Sequence, residues 1–415
     1  MSGADTTVAL RDLTVTDDGA ECIIGDPSAG SYINVPAVGG VVVRALLAGR
    51  TVAQATAEAE AFAGESVDVA SFVETLGELG FLAEDGPPDD AGPAPTAPVQ
   101  QRTWFTGADE RVARWFFGRT AWTGYAVAAV FALVTLTLRP DLRPLSTDAI
   151  IVADFGISAL VVLPVGWSIT ALHEYWHWLA VRALGLQSRF GIDARYGVLL
   201  VFETDLTQIW SVPRRRRYGP QLAGMAIQGV LLAGTLLAEL LWRDAPFLRL
   251  LVLLNLATLA WQAMIFLRSD LYAVLVTATG CTNLWETTRL RAKAMFRLIS
   301  PTEQQALDGA SPADLRVSRW FVHVWLVGPV FAVGYLVWYL LPWIGEAAAW
   351  TTAGLAASPS TGRFWWTAAS AVALFGPLVL TAAVAARAGI AALRARRPRR
   401  RLPYGGANDS GNRPG

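Results

Sequence analysis

Six stretches of this chain are long and apolar enough to cross a lipid bilayer, which takes about 20 residues each, and that restricts the folds open to it. They lie at about 121–138, 150–184, 218–242, 247–267, 320–343 and 365–386. Backbone groups in hydrocarbon find no water to bond, so such stretches must be helices. Of the 415 residues 53% are apolar, 16% are charged and 17 are tryptophan, a more apolar and less charged chain than a typical soluble domain. The expected fold class is a polytopic all-α membrane protein with about six spans. The stretch at 150–184 is overlong and contains Pro164, which predicts a kinked or broken helix.

The first residues lack the basic-then-apolar pattern of a cleaved signal peptide, which predicts a cytoplasmic N-terminus. The inner connections then carry Arg182, Arg189, Arg195, Arg214, Arg215, Arg216 and Arg217, followed by Arg268, Arg289, Arg291, Lys293, Arg297 and Arg316. The outer connections carry far fewer, as the positive-inside rule requires. An even number of spans returns the C-terminus to the cytoplasm, where Arg394, Arg396, Arg397 and residues 399–401 form a basic tail. The expected location is the cell membrane. Formal net charge is zero and points to no partner, while arginines beside spans fit topogenic, lipid-facing charge rather than nucleic-acid binding. Cys22 and Cys281 form neither a C-x-x-C pair nor a disulfide framework, so reduced thiols are expected.

Residues 1–83 are expected to form a small soluble α+β domain, winged-helix-like. Glu21-Cys22-Ile23-Ile24-Gly25-Asp26-Pro27 and Gly30-Ser31-Tyr32-Ile33-Asn34-Val35 look like two strands joined by an Asp-Pro turn. Three helices follow: an apolar one through 41–47, one initiated by Thr51, and one over 69–79 ending at Gly80. Residues 84–101, rich in proline and acidic residues, have no apolar face and form a linker. The membrane domain occupies 102–390 and a basic tail 391–415.

Within the second apolar stretch stands His173-Glu174-Tyr175-Trp176-His177. On a helix a spacing of four puts both imidazoles on one face, one turn apart, where they can share a metal while Glu174 reaches a water bound to it. The chain has only three histidines, so chance matches number on the order of 10⁻³ for this composition. Ionisable groups in an apolar span are costly and rarely idle. The motif therefore predicts a zinc hydrolase at membrane depth, with Glu174 as base and proton carrier to the leaving amine.

Catalytic zinc usually takes three protein ligands. Candidates for the third are Glu203, Asp205 and Asp270. Asp270, directly after the fourth span and at the depth of the histidines, is favoured. Asp154 precedes the motif by about 19 residues, or about 28 Å of straight helix, and belongs to the other side. His323 is expected to be interfacial or structural, with an oxyanion or substrate contact as the alternative. Residues 188–203 alternate and predict a cytoplasmic hairpin, which either covers the site or offers a strand edge to an extended peptide.

These residues resemble the site-2 protease class of intramembrane zinc metallopeptidases, and more closely its bacterial branch linked to ribosomally made, modified peptides. In that class a second motif, approximately Asn-Pro-x-x-Asp-Gly, brings the third ligand. Arg268-Ser269-Asp270-Leu271-Tyr272 occupies its place and keeps only the aspartate. Gly224-Met225-Ala226-Ile227-Gln228 is similar to the class's central small-residue motif, which implies a substrate-binding role for Gln228. The N-terminal domain resembles the PqqD-like precursor-recognition domain in its 24–35 hairpin with Tyr32, Leu47-Ala48-Gly49-Arg50-Thr51 and Leu79-Gly80-Phe81-Leu82. The likeness implies that a leader peptide adds as a strand to the sheet edge, with Tyr32 as a possible contact. The implied function is zinc-dependent cleavage of a precursor peptide. The alternatives are a general regulated intramembrane protease releasing a membrane-anchored regulator, and a non-catalytic metal-binding export or immunity protein.

Overall fold

A computed structural model describes residues 7–19, 21–83, 102–103, 110–195, 199–242 and 245–395. The expected linker at 84–101 and the tail beyond 395 lie outside the described residues. Residues 391–395, assigned above to the tail, instead continue the last helix.

The N-terminal region holds three strands rather than two. β1 (Thr14–Asp18), β2 (Glu21–Asp26) and β3 (Ser31–Pro36) form an antiparallel meander in that order. The short β1, Thr-Val-Thr-Asp-Asp, has one apolar residue and so gives no strand signal by itself. It is held by pairing with β2, Val15 opposite Ile24 and Thr16 opposite Ile23. The expected turn is present: the Asp26 carboxylate accepts from the Ser28 and Ala29 amides at 2.8 and 3.0 Å. α1 (Ala37–Leu47), α2 (Val52–Ala63) and α3 (Val69–Glu78) follow. Thr51 and Gln54 form a capping box at the start of α2, and the Asp68 side chain caps α3. Strand alternation sends Cys22, Ile24 and Val35 into one core with Val43, Leu76 and Phe81. The opposite face, with Thr16, Ile23 and Asn34 in register, is left free of these helices.

The rest of the molecule is mostly helical. β4 (Arg102–Thr103) and α4 (Glu110–Phe116) lead into α5 (Arg119–Leu138) and α6 (Phe155–Ala183). A hairpin of β5 (Phe190–Arg195) and β6 (Leu199–Thr204) and a 3-10 turn at Thr207–Ser211 precede α7 (Arg214–Leu241) and α8 (Pro246–Ala263). Three shorter helices, α9 (Asp270–Thr279), α10 (Leu284–Met295) and α11 (Pro301–Asp308), come before α12 (Pro312–Leu355) and α13 (Gly362–Ala395). Five helices among the described residues, α5, α6, α7, α8 and α12, are long and apolar enough to cross a membrane. The sixth expected span falls within α13. The outward faces of α5 and α12 carry exposed Val127, Val130, Leu133, Val330, Phe331 and Trp338, a larger apolar surface than water-soluble monomers carry.

Two expectations about helix limits are corrected. α6 is not broken at Pro164 but runs through it as one helix, because a proline removes a single ladder bond and the turns on either side carry on. It starts at Phe155 rather than 150, where the Asp154 side chain accepts from the Ile157 amide at 3.0 Å and ends the preceding extended segment. α12 has 44 residues instead of the expected 24 or so, about 66 Å at 1.5 Å per residue. α7 is the most buried of the five and packs against α5, α6, α8 and α9, and it is the helix around which the site assembles.

Candidate metal centre

His173 and His177 lie one turn apart on α6, and both are 1% exposed. Their Nε2 atoms stand 3.0 Å from each other, and Asp270 Oδ2 is 2.9 Å from the first and 3.0 Å from the second. Asp270 is the first residue of α9. Arg268, in the left-handed region at φ 58° between the end of α8 and α9, reverses the chain so that the carboxylate returns to the histidines. Its guanidinium lies 5.5 Å from the Trp285 ring centre, a cation–π contact that helps hold this turn.

The three donor atoms suit a divalent metal. His177 Nδ1 is 2.6 Å from the Pro220 carbonyl, which only accepts, so the proton sits on Nδ1 and the Nε2 lone pair faces Asp270 and His173. Ligands about 2.0–2.1 Å from a tetrahedral ion stand about 3.3–3.4 Å apart. The donors need to spread by only a few tenths of an ångström from the distances found. α7 makes room for this: a Cβ on Gly224 would stand 2.4 Å from His173 Nε2 and 2.5 Å from His177 Nε2. The third helix thus passes the donors with bare backbone. The Asp270 side chain is 22% exposed where those of the histidines are 2%, which leaves the carboxylate side as the way in. Two imidazoles and a carboxylate are a donor set that divalent transition metals take.

Comparison with known protein families, with curated proteins and with solved structures finds no match. The site therefore rests on its own geometry.

Glu174 follows His173 on α6, close enough to His173, His177 and Asp270 to interact with all three. Its backbone carbonyl accepts from the Thr204 hydroxyl at 2.7 Å, which fastens the motif to the end of β6. The predicted hairpin is present, with the short β4 added on its β5 side. The outer edge of β6 has no strand partner among the described residues.

Gln228 lies one turn beyond Gly224 on the same face of α7, fully buried, and neither amide atom has a hydrogen-bond partner among the described residues. Tyr32 is placed elsewhere. It lines a cleft of about 310 Å³ between the free face and β3 edge of the N-terminal sheet and Trp210, Arg217 and residues 276–282. Of the alternative ligands, Asp205 accepts from the Thr207 amide at 2.9 Å, and neither it nor Glu203 belongs to the donor cluster. Asp154 meets Trp366 at the other end of α6, and His323 is exposed on α12. Cys22 and Cys281 are buried free thiols. Burial pushes both up, Cys281 to about 11, which suits inert thiols.

Sequence reasoning passed over Gln262. Its Nε2 is 3.4 Å from His173 Nε2 and its Oε1 accepts from the Asp270 amide at 3.1 Å. Its backbone carbonyl also accepts from Ser269 Oγ at 2.7 Å. The signal that singled out Asp270, a polar residue at the end of an apolar span, applies equally to Gln262, but a neutral amide is not an expected metal ligand.

Proposed function

We propose that this chain is a membrane-embedded zinc metallopeptidase that recognises and cleaves a ribosomally made precursor peptide. The observation that carries the reading is the convergence of His173, His177 and Asp270 on one point beside Glu174, inside a helix apolar enough to span a bilayer. His173, His177 and Asp270 would hold the metal, which would supply a Lewis acid and make water nucleophilic near neutral pH. Glu174 takes the proton of the attacking water and delivers it to the leaving amine. Pro220 and Gln262 hold His177 and Asp270 in place.

A peptide bond inside a helix is shielded from attack, so the substrate has to be extended at the site. The open edge of β6, joined to Glu174 through Thr204, supports strand addition there. The buried, unpartnered Gln228 amide is the proposed contact for a substrate carbonyl or amide. The N-terminal sheet, whose β3 edge lacks a strand partner among the described residues, is the proposed site for a leader peptide, beside the cleft that contains Tyr32. The arginine-rich connections and the N-terminal domain lie at the end of the bundle where α7 begins, which supports a cytoplasmic placement of both in the cell membrane.

Glu174→Gln tests the chemistry. The variant should keep its zinc and lose cleavage by roughly 10²–10⁴-fold, the usual worth of a general base. Metal analysis beside a cleavage assay separates this from a structural defect. Full hydrolysis by the purified variant would sink the peptidase reading, and zinc binding without any Glu174-dependent reaction would favour a non-catalytic metal protein.

A further inference from the structure

A second cavity, of about 380 Å³, opens where α4, the end of α6 and the start of α7 meet. Its polar lining is cationic: Arg114, Arg215 and Arg216. Arg114 is engaged by Glu110 at 2.9 Å. Arg215 and Arg216 are exposed, and neither side chain has a hydrogen-bond or ion-pair partner among the described residues. Phe117, Trp122 and Tyr218 supply the aromatic walls. Rings that are apolar at one end and polar at the other collect at the level of lipid headgroups. The ends of three apolar helices, α5, α6 and α7, converge here, so the cavity sits where a bilayer's polar layer meets the bundle. Its floor is Gly219, where a Cβ would come within 4.0 Å of the Trp122 ring.

Unpaired guanidinium groups, an aromatic wall and a pocket between spans are what a phosphate-bearing headgroup needs. We propose that this cavity binds the headgroup of an anionic phospholipid. Arg215 and Arg216 hold the phosphate, and Trp122 and Tyr218 flank the glycerol region. A free phosphate shares the anionic chemistry but gains nothing from the aromatic walls. The cavity also reaches Pro220, whose carbonyl holds His177, so the lipid lies directly behind the turn of α7 that orients a metal ligand. The binding itself does not depend on the peptidase reading.

Full-length protein reconstituted in nanodiscs of phosphatidylglycerol and phosphatidylcholine in equal parts, then released into detergent for native mass spectrometry, should retain a single phosphatidylglycerol in preference to phosphatidylcholine. Arg215→Gln combined with Arg216→Gln should weaken retention roughly 25-fold, about five-fold for each arginine. Gly219→Leu keeps both arginines and fills the floor beside Trp122, and should abolish retention while zinc content stays as in the parent. The proposal is overturned if phosphatidylcholine is retained equally. It is also overturned if neither variant changes retention, or if millimolar inorganic phosphate displaces the lipid.

Discussion

Gly224 shows how narrow the tolerance of the centre is at the scale of one residue. Adding a methyl group would put carbon 2.4 Å from a donor nitrogen, so Gly224→Ala should lower zinc affinity by roughly 10–100-fold, although alanine is the better helix former by about 1 kcal/mol. Zinc competition with a chromophoric chelator reads the first effect, and helix content by circular dichroism should be unchanged. Asp270→Ala should remove zinc and activity together, whereas Asp205→Ala should leave zinc stoichiometric. The reverse result would put the third ligand on the hairpin. Gln262→Ala should fall between them, with zinc weakened about tenfold through the freed Asp270 turn. The grouping of His173, His177 and Asp270 was legible in the sequence because spacing on a helix and depth in a span are local properties. The roles of Pro220 and Gln262 were not. Pro220 meets a partner 43 residues away, and Gln262 joins Asp270, 8 residues on, to His173, 89 residues back; residue type alone does not reveal which helix will lie alongside.

At the scale of elements, the apolar stretches announced their helices while punctuation was harder to weigh. Pro164 suggested a break near the motif, yet α6 continues, since a long apolar helix held on several sides absorbs one missing bond. Pro164→Ala is therefore expected to leave zinc content and cleavage unchanged and to raise stability by up to about 3 kcal/mol. Loss of activity in that variant would show that the proline shapes the site. β1 escaped notice for the opposite reason. Its five residues are made into a strand by β2, and only three-dimensional pairing shows it. The return of the chain at Arg268 was equally hidden, because a non-glycine residue in the left-handed region leaves no mark in composition.

At the scale of the molecule, the N-terminal domain is seated on the helical part rather than only tied to it. Thr16 donates to the Ser211 carbonyl at 2.8 Å, Gln208 to the Pro27 carbonyl at 3.2 Å, and Arg217 pairs with Asp18 at 2.8 Å. Arg217 is 1% exposed, so Asp18→Asn leaves a buried guanidinium without its anion and should destabilise by about 2–4 kcal/mol, seen as a lower Tm. If the domain captures a leader peptide as proposed, deleting residues 1–83 should raise KM for a full precursor far more than for a short peptide spanning the cut, because such capture would work through effective concentration. Equal effects on both substrates would favour a general intramembrane protease. These contacts join residues 181 to 199 positions apart, a separation at which no periodicity or motif speaks.

A shorter separation joins the candidate metal ligands and sets an order of events during biogenesis. Asp270 follows His177 by 93 residues, which a ribosome adds in roughly 5–20 s. For that interval a nascent chain carries both imidazoles without their carboxylate, and α7, with its bare Gly224, is made within it. On the proposed reading, capture of a metal by three ligands waits for α9, so the centre would be complete only after four of the five long apolar helices among the described residues have left the ribosome.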